Sequence, residues 1–378
     1  MSSTLPRSPD DIEFYRKVEY EIAEKTKDFF KSLNIAVIGK VSSGKSSLIN
    51  AFLRRNRHNP VAKVGAESGI TKKLQFIPLS ERIYIVDSPG LEDVRQENSK
   101  ITQAFLSHID VGILVVCGSS DATQKTYVDE LKKYCDRVFV VLNKIDEYDK
   151  LERSALDKVI AQWKSDLQVQ KIYPVCTFGY DPETCPDLPL DIRGVDILRE
   201  DIEDFLASEG KDILLARVMG EKRPFAVKII AGTSCLVAAS AFVPGSGILI
   251  TTLQAVAICQ LYYLYKGKVI SATSVFATMT AFTMEAAGKT LFIWISSIFP
   301  PSGIVDSVTA VISISLTLST LLAVNSILSR GAELDEKQLI QSEFRKFQQR
   351  AKDSLGKFSK QDLINRNIFM EIVDGLIE

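Results

Sequence analysis

The sequence is poor in histidine and in organised cysteine. His58 and His108 are the only 2 histidines in 378 residues, which excludes a histidine-rich metal centre. The 6 cysteines (Cys117, Cys135, Cys176, Cys185, Cys235 and Cys259) never form a CxxC pair. That argues against a zinc site or a disulfide scaffold and fits a reducing compartment. Excess charge of either sign is also missing. The formal net charge is -1, so no global field selects nucleic acid or an anionic surface. Residues Met1 to Asp11 are polar and lack the apolar core of a signal peptide. A further absence is internal: from Ile229 to Tyr265 there is not one charged side chain.

What is present first is a rhythm. Residues 9–32 have Ile12, Tyr15, Ile22 and Phe29 at roughly helical spacing, with charges between them. Leu33–Ile38, Ile83–Val86, Val111–Val116 and Arg137–Leu142 then form short runs rich in Val and Ile. Such runs suit buried strands of a mostly parallel sheet. The intervening Ser46–Arg55, Asp121–Cys135, Leu151–Leu167 and Val195–Ser208 read as helices. Alternation of this kind predicts an α/β fold with helices on both faces of the sheet.

Three motifs sit at the ends of these strands. Gly39-Lys-Val-Ser-Ser-Gly-Lys-Ser46 follows the first and opens a helix. Glycines let backbone N–H groups curl around phosphate oxygens, and the helix N-terminus adds partial positive charge. Gly39, Ser42, Ser43, Gly44, Lys45, Ser46 and Ser47 are therefore candidate phosphate-binding residues. In this pattern Lys45 reaches the β- and γ-phosphates and the Ser46 hydroxyl binds Mg²⁺. Asp87-Ser-Pro-Gly90 follows the second strand; Asp87 offers a carboxylate to the same Mg²⁺, and Gly90 an N–H to the γ-phosphate. Asn143-Lys-Ile-Asp146 follows a third strand. An aspartate there accepts two hydrogen bonds from the N1–H and N2–H₂ edge of guanine, which adenine cannot supply. Lys144 lies along the base. Each motif alone also reads as an ordinary turn; their conjunction, in order at strand ends, points to guanine nucleotide binding.

This set resembles the P-loop GTPases of the Era-like and dynamin-like branches. The resemblance implies that Thr71, in Ser68-Gly-Ile-Thr71, closes on Mg²⁺. Lys45, Thr71 and Gly90 would then act in catalysis, and Ser46, Thr71 and Asp87 would hold the metal. It also places Cys176 and Thr177, in Cys176-Thr-Phe178, in the last guanine-contacting loop. Where small GTPases carry a water-positioning glutamine this chain has Leu91. That departure resembles large GTPases that complete their site by pairing, with or without a monovalent cation (K⁺ or Na⁺). Ser42 matches the serine that helps hold such a cation. Slow intrinsic hydrolysis of GTP to GDP and phosphate, stimulated by a homodimer, an oligomer or a partner, is the expectation.

The region from Phe225 to Ser329 repeats a theme: Phe242-Val-Pro-Gly-Ser-Gly-Ile248 is echoed by Phe299-Pro-Pro-Ser-Gly-Ile304. Two helical hairpins with Pro/Gly tips are predicted, with Glu285 and Lys289 paired on one helix face. The helices carry Ser and Thr where a soluble bundle carries charge. Lys222, Arg223, Lys228, Lys266, Lys268 and Arg330 lie at the ends away from the tips, in keeping with the positive-inside rule. Four spans, or two hairpins dipping in from one side, would put the chain on the cytoplasmic face of a membrane; a dry, soluble helical domain in the cytosol is the competing reading. The region also resembles hydrophobic domains fused to some bacterial Era-like GTPases and the helical half of immunity-related GTPases. Glu333-Leu-Asp-Glu336 and the second tip carry that likeness.

The expected domains are an N-terminal helix (1–32), a G domain (33–210), a hydrophobic helical domain (211–330) and an amphipathic tail (331–378). Phe344, Phe347, Ala351, Leu355 and Phe358, then Phe369, Val373 and Leu376, give the tail an apolar face expected to pack on the N-terminal helix. The basic residues Arg54, Arg55, Arg57, Lys63, Lys72 and Lys73 read as a solvated surface. The expected role is a GTP-driven switch of membrane association or self-assembly. The alternatives are a soluble switch that binds a protein, or an Era-like factor acting on RNA or ribosomes. Near-neutral charge and the lack of a compact basic appendage speak against nucleic acid.

Overall fold

The computed structural model describes residues 9–64, 75–88, 105, 108–180, 188–241, 243, 246–287, 307–358 and 362–377. The chain divides into two compact units, one of residues 31–221 and one of 1–30 with 222–378.

The first unit is built on a six-stranded sheet of order β2-β3-β1-β4-β5-β6. Its strands are β1 (Leu33–Ile38), β2 (Gln75–Ser80), β3 (Ile83–Ser88), β4 (Ile109–Val116), β5 (Cys135–Leu142) and β6 (Tyr173–Pro174). β1 runs parallel to β3 and β4, β4 to β5 and β5 to β6; only β2 is antiparallel, to β3. Every residue of β1 and β4 is buried, because both faces of the sheet are covered. The helices are α2 (Lys45–Phe52), α3 (Lys125–Tyr134), α4 (Arg153–Leu167), α5 (Val195–Ser208) and α6 (Asp212–Val218). One core beneath the sheet gathers Val128, Leu131, Val140, Leu142, Trp163 and Leu167.

β2 was not foreseen. It buries only Ile77 and carries Pro78, which lacks the N–H a central strand needs and is confined to a sheet edge. The helical boundary also falls later than expected, at 221/222 rather than 210/211. α6 buries Ile213, Leu214, Leu215, Ala216 and Val218, and packs on α5. Gly220 N–H donates to Leu53 O at 2.8 Å and Arg55 Nη2 to Val218 O at 2.6 Å, which ties this stretch to the end of α2.

The second unit is all-helical: α1 (Pro9–Thr26), α7 (Arg223–Ser240), α8 (Gly247–Lys266), α9 (Ala272–Ala287), α10 (Ser307–Ser329), α11 (Lys337–Leu355) and α12 (Arg366–Leu376). α7 and α8 form the expected first hairpin. The second tip, Phe299–Ile304, and Lys289 of the expected ion pair lie outside the described residues. α9 packs chiefly on α8 and α11, and α10 on α7, α8 and α11. The tail's main partners differ from expectation: α11 packs on α10 and α12 on α7, while α1 packs on α8, with Phe29 stacked on Tyr263 at 4.6 Å. The apolar face of α11 (Ile340, Phe344, Phe347, Ala351, Leu355) finds more apolar surface on α10 than α1 offers.

Two helices among the described residues are long and apolar enough to cross a membrane: α8 and the Ile312–Ser329 part of α10. Most residues of each are buried, 61% and 78% of an 18-residue stretch respectively. Three polar residues of α10, Thr317, Asn325 and Ser326, are paired with side chains of neighbouring helices. Gln254 Nε2 donates to Thr317 Oγ1 at 2.7 Å, Tyr265 OH to Asn325 Oδ1 at 2.8 Å, and Ser326 Oγ to Glu343 Oε2 at 2.8 Å.

Candidate functional site

β1 lies between β3 on one side and β4 on the other, so a crevice opens at the carboxyl ends of these strands. Gly39 bends away there with φ +150°; a Cβ on it would stand 2.2 Å from Val115 O. Ser42 follows in a left-handed backbone at φ 65° and is exposed. Gly44, at φ 86°, caps α2 without any side-chain hydrogen bond to the first turn, and no acidic residue sits in that turn. The first amides of α2 are thus left to an anion from solvent.

Lys45 is 3% exposed and lies back across the loop; its Nζ donates to Gly39 O at 3.0 Å and Lys40 O at 3.1 Å. Burial pushes its pKa down, opposed by the charge of Asp87. Those carbonyl bonds are weak partners for a buried ammonium, and a phosphate is a stronger one. Lys40 instead turns out to Asp121, with which it forms an ion pair.

Asp87 is fully buried at the end of β3 and accepts a 2.6 Å hydrogen bond from Ser46 Oγ on Oδ2. Its Oδ1 has no hydrogen-bond partner among the described residues. Burial pushes this carboxyl up, against the Ser46 hydrogen bond and Lys45, which hold it down. A buried carboxylate oxygen left unpartnered is costly, and a hydroxyl beside it completes a hard oxygen donor set. Ser46 and Asp87 therefore fit Mg²⁺. Thr71, Gly90, Leu91, Lys72 and Lys73 lie outside the described residues.

Asn143 joins the P-loop to the base loop. Its Nδ2 donates to Ser43 O at 3.1 Å and Gly44 O at 3.3 Å. Its Oδ1 accepts from Lys144 N at 2.9 Å and Thr177 Oγ1 at 3.1 Å. The first of these supports the left-handed backbone of Lys144, φ 65°, a conformation costing about 1 kcal/mol for a non-glycine residue. Gly44 is required by the same contact, since a Cβ there would meet Asn143 Nδ2 at 2.2 Å. Cys176 opens β7 (Cys176–Phe178), paired antiparallel with β8 (Asp191–Arg193), and its Sγ donates to Asp146 Oδ1 at 3.2 Å.

Beside Asn143 lies one cleft of about 280 Å³, walled by Gly44, Ser47, Asn143, Lys144, Asp146 and Thr177. The P-loop, Asp87, the base motif and the Cys176–Thr177 loop are brought to the same, carboxyl-terminal end of the sheet. Phe178, the last residue of the expected loop, also lines the cleft, as do Glu147, Gly179 and Tyr180, which were not anticipated. Phe178 directly follows the expected pair and is 43% exposed, an apolar ring open to solvent beside a base-sized cleft.

The 50S ribosome-binding GTPase family matches residues 34–144. A probable GTP-binding protein EngB from Lactobacillus helveticus is 30% identical over 160 residues, covering 38% of this chain and 77% of that protein. EngB from Bdellovibrio bacteriovorus is 28% identical over 181 residues, 44% of this chain and 84% of that protein. GTPase Der from Nitratiruptor sp. is 27% identical over 166 residues, and there the chain spans only 35% of the relative's length. Among solved structures, a probable GTP-binding protein engB is 18% identical over 46% of this chain and 99% of that chain, with a TM-score of 0.30. Era in complex with MgGDPNP and a segment of 16S ribosomal RNA is 18% identical over 55% of this chain and 68% of that chain, with a TM-score of 0.29.

Proposed function

We propose a function from one premise: this chain belongs to the family of P-loop GTPases that includes the EngB-type GTP-binding proteins. It binds GTP at the carboxyl-terminal end of the sheet and hydrolyses it to GDP and phosphate. The observation that carries this reading is that the P-loop is tied by hydrogen bonds both to Asp87, through Ser46, and to Asn143 of the base motif, with Lys45 folded back across the same loop. The open amides of α2 and Lys45 hold the phosphates. Ser46 and Asp87 would hold Mg²⁺, which when bound supplies charge neutralisation at the β- and γ-phosphates. Asp146 accepts from the guanine edge, Lys144 covers one face of the base, and Phe178 stands at the lip of the cleft.

The chain acts as a switch whose output is the helical unit, attached to a membrane surface. Supporting this are the uncharged stretch from Ile229 to Tyr265 and four exposed apolar residues near the α7–α8 connection: Leu236, Val243, Ile248 and Leu249. Attachment is by the apolar end of that hairpin rather than by spanning, since most of α10 is enclosed by its own neighbours. Turnover is slow in the isolated chain and rises with self-association on the phosphate face, as in the dynamin-like pattern. Ser42, exposed in the loop, is the residue for a K⁺ or Na⁺ ion there.

Flotation of the full chain with liposomes, with GTP analogue, GDP or neither, tests the output. Nucleotide-dependent flotation that resists salt supports it; a protein that stays at the bottom in every state contradicts it. Hydrolysis per molecule that does not change with protein concentration or with K⁺ contradicts self-activation. A second reading, a soluble bundle binding a protein, is favoured by the satisfied polar groups around α10. Co-purifying RNA would instead support the ribosome-associated alternative.

A further inference from the structure

The turn that carries Asp146 ends at Asp149, whose N–H donates to Asp146 O at 3.2 Å. Both carboxylate oxygens of Asp149 accept from one guanidinium: Arg193 Nη1 donates to Oδ1 at 3.0 Å and Nη2 to Oδ2 at 2.7 Å. The same guanidinium also grips Asp191, with Nε to Oδ1 at 2.9 Å and Nη2 to Oδ2 at 2.9 Å. Arg193 stands directly opposite Cys176 in the β7–β8 ladder, and Asp191 opposite Phe178. Cys176 in turn donates to Asp146. Burial, with Asp146 beside it, pushes this thiol up to about 12, so it remains a donor at neutral pH.

A single exposed ion pair adds little. Arg193 differs in geometry, because a planar fork engages two carboxylates at once and fixes their separation. Its backbone is held as well: the next residue, Gly194, has φ +75°, and a Cβ on it would lie 2.1 Å from Pro174 O. A lysine at 193 would keep the charge and lose the fork.

We propose that Arg193 is a positioning residue for base selection, bracing the Asp146 turn against β7 so that both carboxylate oxygens of Asp146 meet the guanine edge. This rests on the reading of Asp146 as the guanine acceptor. Without the brace the turn slackens and the bond to the exocyclic N2 amine is lost first, while the bond to N1–H, which hypoxanthine shares, is kept.

The test compares the affinities of the full chain for Mg·GDP and Mg·IDP, which lacks the N2 amine, in the wild type, Arg193→Ala and Arg193→Lys. The wild type prefers GDP. Arg193→Ala loses on the order of tenfold in GDP affinity and little in IDP affinity, one charge-assisted hydrogen bond's worth, so the ratio of the two falls toward one. Arg193→Lys falls between, and it reads the same ratio should the alanine variant fail to fold. The double variant Asp149→Arg with Arg193→Asp recovers part of the ratio. An unchanged GDP/IDP ratio, or equal loss for both nucleotides, overturns the brace while leaving Asp146 in its role. A wild type that does not distinguish GDP from IDP removes that role and the brace with it.

Discussion

Ser46 Oγ and Asp87 Oδ2 lie 2.6 Å apart, joining the first turn of α2 to the end of β3, with the second oxygen of Asp87 buried and unpartnered among the described residues. A hydroxyl and a carboxylate so placed form two adjacent oxygens for a divalent cation. Ser46→Ala is expected to fold and to lose at least about tenfold in Mg²⁺-dependent GTP affinity, the value of one to two charge-assisted contacts. Titration of nucleotide with and without Mg²⁺ checks this; a variant with unaltered Mg²⁺ dependence would show that the pair only braces the fold.

Lys45 supplies the positive charge of the P-loop from a buried position, bonded to the carbonyls of Gly39 and Lys40 among the described residues. Removing it in Lys45→Ala should weaken GTP by about 3 kcal/mol or more, since each hydrogen bond to a charged group contributes about 1.5–3 kcal/mol. Direct binding measurements on the folded variant decide the matter, and retention of wild-type affinity would place the triphosphate elsewhere.

Asp146 is read as the acceptor of two guanine donors. Asp146→Asn replaces one acceptor by a donor, which suits the C2 oxygen of xanthine in place of the C2 amine of guanine. Competition binding should therefore show XDP gaining on GDP by about a hundredfold or more, from one repaired and one broken hydrogen bond. An order of preference that still begins with GDP would remove Asp146 from the base edge.

The P-loop was legible because a strand, a glycine-rich turn and a helix are adjacent in sequence, and local pattern alone places Gly39 to Ser46. The base motif and Asp87 followed from their position at strand ends. Arg193 and Arg199 were not legible, since their partners are far away in sequence and nothing in the local pattern marks them. β2 was hidden by Pro78 and by having one buried residue. α10 posed a different difficulty: a helix apolar on every side reads the same whether lipid or other helices surround it. Only the packing of α7, α8 and α11 around it shows that most of its surface is already covered.

Arg199 is 3% exposed and reaches from α5 to the end of α2, where Nε donates to Phe52 O at 2.8 Å and Nη2 to Ala51 O at 3.0 Å. It satisfies carbonyls that the helix itself leaves open. Arg199→Ala should lower the stability of this unit by about 3 kcal/mol, because buried carbonyls lose charged donors. Denaturant unfolding checks it, and a loss below about 0.5 kcal/mol would contradict the capping role.

Lys40 holds Asp121 well below the usual carboxylate range, at about 2, together with the hydroxyl and N–H of Thr123. A lowered carboxylate pKa means that the folded chain binds this proton less readily than the unfolded one. The contribution is present above the ordinary value and is lost as pH falls through about 2. In Lys40→Met the carboxyl resonance of Asp121 should titrate at higher pH; an unshifted titration would assign the effect to Thr123 alone.

The most direct measurement is calorimetric titration of the full chain, in Mg²⁺, with a non-hydrolysable GTP analogue and with the matching ATP analogue. One saturable site for the guanine nucleotide, no comparable heat from the adenine nucleotide, and loss of the signal in Lys45→Ala are the results predicted. Equal binding of both nucleotides, or none of the guanine one, would contradict the account.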